Sequence, residues 1–319
     1  MTTSTQPPSS LDPEARLRCS DWSRAASLSP IGTSGSYAGY LLVEIPLPWP
    51  RDAGDTAEGA ALAPLIGPLR YRLQAIAAGR PAAEPTVDPR ERRMILHARR
   101  PGEAGFSGYR RFSSRAGDSL ADTAAALIAA AAGDAPSELE APAVDVLVCT
   151  HGTRDSCCGR RGANLAVELA ASGLLPGENL WRTSHLGGHR FAPTFMVLPQ
   201  GTVWGFADAD LVTRVIRRDG DFADAAGHYR GCPGLDSPQV QALELEVLRR
   251  VGWSVLDRQR TGAFEGINAQ LTWEEGGQTV TWAGQVRPGR TVPSPGCLEP
   301  LSSSGKSETE WAVTAVHRR

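Results

Sequence analysis

Eight residues separate Cys149 from Cys158, and three separate His185 from His189, in the runs Cys-Thr-His-Gly-Thr-Arg-Asp-Ser-Cys-Cys-Gly and His-Leu-Gly-Gly-His. Two thiols and two imidazoles form a complete donor set for a metal centre, because thiolate and neutral imidazole suit zinc and iron well. A His-x3-His spacing would align both rings on one helix face, but each of Gly187 and Gly188 opposes a helix by about 1 kcal/mol. A loop drawn close around a bulky centre fits better, since glycine lets the backbone approach. No Glu lies between the two histidines, so the general base of a His-Glu-x-x-His zinc protease is missing. Zinc-finger cysteines usually lie two to four residues apart, whereas this clasp is wider. A two-iron cluster is larger and can take thiolates on one iron and imidazoles on the other. The donor chemistry favours iron–sulfur over zinc, and spacing decides no further.

Strand ends and tight loops must bring these four residues together. Residues 144–149 read as a strand with little alternation, hence buried on both faces. A loop over 150–162 leads into a helix carrying Leu165 and Leu169 and stopped by Gly173. Residues 180–184 form a short strand just before His185, and 195–198 and 203–206 form a hairpin across Pro199-Gln-Gly201. Asp208 caps a helix with Leu211, Val212 and Val215, and Ser237-Pro238 starts another. The order β-α-β-β-β-α predicts a thioredoxin-like sheet. Upstream, 40–45 read as a strand ended by prolines, 52–61 as a loop, and 93–98 as a strand. A helix is expected from near Pro68 to before Gly79, on Leu69, Leu73 and Ile76, and another between Asp118 or Ser119 and Gly133. Downstream, Gly276-Gly277 marks a hairpin, and the tail from Ser302 is polar. No internal repeat is visible. The fold class is α/β, with a polar arm over 1–36, a smaller α/β domain over 37–141, a thioredoxin-like domain over 142–252 and a strand-rich extension over 253–319.

The composition narrows the function. Of 319 residues, 41% are hydrophobic and 21% charged, and the net charge is −2, so no basic stripe points to nucleic acid. No apolar run reaches the length of a membrane span, and the first 20 residues lack the apolar core of a secretory signal, so the expected compartment is the cytoplasm. Six cysteines are too few for a disulfide scaffold, and in a reducing compartment thiols stay free or bind metal. Cys19, Cys232 and Cys297 read as inert small hydrophobes, and Cys157 as a spare thiol beside a ligand. His151 could donate a hydrogen bond to a cluster sulfur or simply cap its loop, and Arg154 and Asp155 could pair internally. The Gly159-Arg-Arg-Gly162 run lacks the Lys and Ser/Thr of a phosphate-binding loop. Eight arginines in 90–115 could form a docking face for an acidic redox partner, although a solvated basic surface explains them as well.

The two motifs, with Cys19-Ser, Gly32-Thr, Val43-Glu-Ile-Pro and Trp49-Pro, resemble the sucrase/ferredoxin-like family of thioredoxin-fold [2Fe-2S] proteins over roughly residues 15 to 250. The resemblance implies a [2Fe-2S] cluster bound by Cys149, Cys158, His185 and His189 in a ferredoxin-like second domain. It implies a redox carrier with redox partner proteins as donor and acceptor, rather than an enzyme that transforms a substrate. Cys157 departs from the family pattern, and the spacing favours Cys158 as the ligand. The competing readings are a structural zinc domain on the same four ligands, and a thiol oxidoreductase using Cys157 and Cys158. The region after Trp253 holds no His/Cys pair that could complete the site and is not expected to be needed for it.

Overall fold

Cys149 ends a strand near the middle of a nine-stranded mixed sheet, in a computed structural model that describes residues 16–79, 91–133, 138–175, 179–300, 302 and 304–319. The sheet is laid down in two rounds. The first comprises β1 (Gly39–Glu44), α2 (Ala57–Ile66), β2 (Tyr71–Ala78), β3 (Arg93–Ala98), β4 (Arg110–Arg115) and α3 (Leu120–Ala132). The second comprises β5 (Asp145–Cys149), α4 (Ala163–Ser172), β6 (Leu180–Thr183), β7 (Phe195–Leu198), β8 (Thr202–Trp204) and α5 (Ala209–Arg217), followed by edge strand β9 (Tyr229–Gly231). In each round the first two strands are parallel and the third runs antiparallel to the first. The sheet order β4-β3-β1-β2-β6-β5-β7-β8-β9 therefore repeats one topology outward from the β2–β6 seam. Antiparallel pairing of Ile76 with Thr183 joins the two rounds. This duplication lies in the pairing order and has no counterpart as a sequence repeat.

The sheet is strongly curled. His97 on β3 and Asp145 on β5 are four strand steps apart, which a flat sheet would separate by about 19 Å. Their side chains nevertheless hydrogen-bond at 2.9 Å, with Arg111 Nε of β4 at 2.6 Å and Trp181 Nε1 of β6 at 2.9 Å from the same carboxylate. One core gathers Leu147, Phe195 and Trp204 of the second round, and a second core packs Leu62, Ile66 and Leu127 of α2 and α3 on β1 and β3. A separate four-stranded antiparallel sheet follows, of β10 (Thr261–Glu265), β11 (Asn268–Glu275), β12 (Gln278–Pro293) and β13 (Ser307–Arg318). Helix α6 (Pro238–Val251) lies against it so closely that a Cβ on Gly262 would come within 2.3 Å of Val240. Among the described residues no helix is long and apolar enough to cross a membrane.

Several expectations hold at the level of single residues. Ser119, Asp208 and Ser237 accept from the amides of Asp122, Leu211 and Val240 at 3.1, 2.8 and 3.1 Å, as N-caps should. Gly276 and Gly277, at φ +59° and +77°, turn the β11–β12 hairpin. Three do not hold. The segment expected as a helix from Pro68 to Gly79 holds strand β2, whose Gln74, Ala75 and Ile76 are buried between β1 and β6; sheet burial overrides the helical spacing of Leu69, Leu73 and Ile76. The helix lies instead at α2, capped by Thr56 and overlapping the segment read as a loop. The polar tail contributes β13, paired along β12, to the strand-rich extension. Within the segment read as a polar arm, Cys19–Ala25 forms a short helix, α1, that buries Cys19 and Trp22.

Candidate metal centre

Cys149 is fully buried because β5 is flanked by β6 and β7. The chain then folds back on the strand it has just left. A Cβ on Gly162 would stand 1.9 Å from the Cys149 carbonyl oxygen, and one on Gly159 would stand 2.5 Å from the Gly152 Cα. These glycines thus serve close packing of the loop on itself, which accounts for the Gly-Arg-Arg-Gly run without phosphate. Cys158 opens a single π-helical turn, Cys158–Gly162, and is fully buried. His185 follows directly on β6. Gly187 and Gly188, at φ +80° and +57°, bend the chain behind it as a loop, not a helix. The buried Arg230 donates to the Gly187 carbonyl at 3.0 Å and lies where a Cβ on Gly188 would meet it at 2.5 Å. Burial pulls its guanidinium down to about 9.

Cys149, Cys158 and His185 bring their ligand atoms within 4.8 Å of one another. Cys149 is pulled well below the usual thiol range, because the Cys158 thiol, His185 and the His151 backbone amide favour its thiolate against the cost of burial. Cys158 is pushed up by sharing its proton with that sulfur. His185 Nδ1 is buried without a hydrogen-bond partner. His151 acts differently from the expected donor to sulfur. Its Nδ1 accepts from the His185 amide at 3.0 Å, and its Nε2 donates to the Pro50 carbonyl at 2.7 Å. Both ring nitrogens are therefore engaged in fixing the loop that carries His185.

His189 stands beside this group, its ring centroid 6.1 Å from that of His185. Its Nδ1 faces Asp155 Oδ2 at 3.0 Å and Cys19 Sγ at 3.2 Å. Asp155 thus partners His189 in place of the expected pair with Arg154. A second convergence surrounds that contact: Cys19, Asp155, Cys157 and Cys297 also present ligand atoms within 4.8 Å of one another. The sulfurs lie 3.7 Å apart for Cys19 and Cys157, 3.1 Å for Cys157 and Cys297, and 3.2 Å for Cys19 and Cys297. Hydrogen bonds from Cys19 and Cys297 draw Cys157 down to about 2 despite its burial, and the same sharing pushes Cys19 up.

The residues 30–231, more than half of the chain, match the family model described as sucrase/ferredoxin-like. The chain belongs to the sucrase/ferredoxin-like family. The matched stretch holds Cys149, Cys158, His185 and His189, but neither Cys19 nor Cys297. No curated protein and no solved structure matches the chain. Within this family member, sequence reasoning missed the second convergence, because no spacing links Cys19, Cys157 and Cys297, which lie more than a hundred residues apart. The sequence offers as a trace only the extra thiol Cys157 beside Cys158 and the Cys19-Ser run near the start of the chain.

Proposed function

We propose that this sucrase/ferredoxin-like protein is an electron carrier that holds a [2Fe-2S] cluster through Cys149, Cys158, His185 and His189. The observation that carries the reading is the buried meeting of Cys149, Cys158 and His185, with His185 Nδ1 lacking any partner. A buried imidazole nitrogen left unpaired costs free energy unless a ligand satisfies it. The donor set fits the group, since two thiolates and imidazole suit a mixed-ligand two-iron centre. Bound there, the cluster would supply one-electron transfer. Cys149 and Cys158 supply the anionic sulfurs from the end of β5 and the loop after it. The His151 amide and ring hold that loop and the His185 backbone in register. Asp155 accepts from His189 Nδ1, the carboxylate–histidine arrangement that orients metal-binding imidazoles and leaves Nε2 for the metal.

The second round of the sheet, with parallel β5 and β6, the β7–β8 hairpin and helices α4 and α5, supports our reading of it as a thioredoxin-like unit. A thiol oxidoreductase fits less well, because Cys158 faces Cys149 and His185 whereas Cys157 faces Cys19 and Cys297. Among the described residues of the arginine-rich stretch, Arg92, Arg99, Arg110, Arg111 and Arg115 are paired with Glu58, Asp236, Glu140, Asp145 and Glu91. These pairings support the reading of the stretch as a solvated, internally paired surface rather than a docking face. Iron and acid-labile sulfide analysis of anaerobically purified full-length protein tests the reading. We expect about two of each per chain, both strongly depleted in Cys149→Ser and Cys158→Ser. A colourless protein whose only metal is zinc lost on Cys149→Ser would overturn it in favour of a structural zinc domain.

A further inference from the structure

We propose that Cys19, Cys157 and Cys297, with Asp155, form a second metal site that holds one tetrahedral divalent ion of the zinc type. The inference stands on different residues from the [2Fe-2S] reading, apart from the contacts that Asp155 and Cys19 make with His189. Three sulfurs on one tetrahedral ion with metal–sulfur bonds near 2.3 Å would lie about 3.8 Å apart. The separations found, 3.1, 3.2 and 3.7 Å, are close enough for one ion to gather all three. They are far too short for sulfurs spread over the separate irons of a larger cluster.

The origins of the three thiols argue against chance. Cys19 comes from α1, Cys157 from the loop after β5, and Cys297 from the turn region between β12 and β13. Cys157 is 138 residues from Cys19 and 140 from Cys297, so only the tertiary fold assembles them. Thiols scattered as small hydrophobes would each meet carbon. Here Cys19 is 1% and Cys157 0% exposed, yet their nearest partners include sulfur, carboxylate and imidazole. Asp155 supplies the hard fourth corner. Its Oδ1 accepts from the Cys157 amide at 2.8 Å and lies 3.8 Å from Cys297 Sγ, and its Oδ2 lies 3.7 Å from Cys19 Sγ. Metal binding releases the thiol protons to solvent and leaves three thiolates on the ion, with no redox step.

The site would staple the N-terminal helix and the C-terminal extension to the loop that carries Cys158. Because Cys157 and Cys158 are adjacent, an ion on Cys157 fixes the backbone that presents Cys158 to the other centre. Through Asp155 it also fixes His189. The second site is therefore a positioning device for the first, and it explains how residues outside the matched 30–231 stretch bear on the centre.

The test measures zinc, iron and sulfide per chain in anaerobically purified full-length protein and variants. We expect about one zinc per chain in the wild type, lost in Cys19→Ser and in Cys297→Ser while most iron is retained and the electron paramagnetic resonance spectrum of the reduced protein shifts. Cys149→Ser should do the reverse and lose iron while keeping zinc. Cobalt added to metal-stripped Cys149→Ser protein should give sulfur-to-cobalt charge-transfer and tetrahedral d–d absorption, and both should vanish when Cys297→Ser is added. Circular dichroism separates metal loss from unfolding, and Cys297, the least buried of the three, is the safer position. Zinc retained in both Cys19→Ser and Cys297→Ser would overturn the proposal. So would a Cys157–Cys297 disulfide in the anaerobic protein, or full alkylation of all three thiols in wild type that contains no zinc. Zinc lost only in Cys149→Ser would overturn the iron–sulfur reading as well, so the two failures are distinguishable.

Discussion

The two rounds of the sheet share one strand order and differ in the loops that leave their first strands. After β5 the chain turns on Gly152, Gly159 and Gly162 and delivers Cys157 and Cys158. After β1 it runs through Ile45-Pro-Leu-Pro-Trp-Pro, with neither cysteine nor histidine. The equivalent loops meet. The Pro50 carbonyl accepts from His151, the Trp49 carbonyl accepts from Thr153 at 2.7 Å, and the Trp49 ring meets the His151 ring edge-on at 5.7 Å. One topology has thus been used once for donor atoms and once as a wall for the loop that holds them. Strand order sets where a site can lie, and loop chemistry decides whether one is built.

The sharpest way to break that contrast is to add one methyl group to each loop. Gly162→Ala would drive a Cβ into the Cys149 carbonyl, and the backbone would have to move away from β5. We expect a loss of about 3 kcal/mol in stability by denaturant titration and near-complete loss of iron. Gly54→Ala, in the β1 loop, meets only Asp52 Oδ1 at 3.3 Å and should cost less than about 1 kcal/mol. Equal effects would show that the second loop is no more tightly built than the first. Next in size is His151→Ala. It removes both the acceptor for the His185 amide and the bond to Pro50, and should weaken iron binding about 10- to 100-fold in a chelator competition. An unchanged iron affinity would mean that the first round gives no support to the centre.

Much of the second round was legible because its signals are local. β5 and β6 read as strands, the β7–β8 turn and the caps Asp208 and Ser237 are set by neighbouring residues, and the Cys and His spacings lie within two short runs. β2 was misread for a physical reason. Leu69, Leu73 and Ile76 satisfy a helical period, and only the strands on either side show that the segment is a buried strand. The duplicated topology and the meeting of Cys19, Cys157 and Cys297 depend on pairings between distant segments. A lone thiol more than a hundred residues from its partners looks like any small buried side chain.

The curl of the sheet makes a further prediction, because it places one carboxylate between the two rounds. Asp145 on β5 meets His97 and Arg111 of the first round and Trp181 of the second. Burial acts to raise its carboxyl pKa, but the bonds and charges of His97 and Arg111 outweigh this and bring it to about 2. A depressed carboxyl contributes stability that is fully present above its unfolded value near 4 and is lost as pH falls from about 4 to about 2. Burial lowers His97 too, so it resists protonation, and its contribution is likewise lost as pH falls below about 6.5. Asp145→Asn should therefore cost about 2 kcal/mol at pH 7 and flatten the stability profile between pH 4 and 2. A variant whose profile keeps the wild-type slope there would show that another carboxylate sets the acid limit.

The smallest effect separates scaffolding from tuning. Thr153 Oγ1 donates to the Trp49 carbonyl at 2.7 Å, a bond between the two equivalent loops that touches no candidate ligand. Thr153→Val keeps the branched shape and removes that bond, which should cost about 1 kcal/mol in stability. Iron per chain should not change, because His151 still binds the Pro50 carbonyl and still holds the His185 amide. The electron paramagnetic resonance spectrum of the reduced protein should also match wild type, since neither His185 nor the cysteines move. A shifted spectrum with full iron content would mean that the first round reaches the centre through Trp49 as well as through His151. The contrast between a donor round and a wall round would then give way to one site built by both.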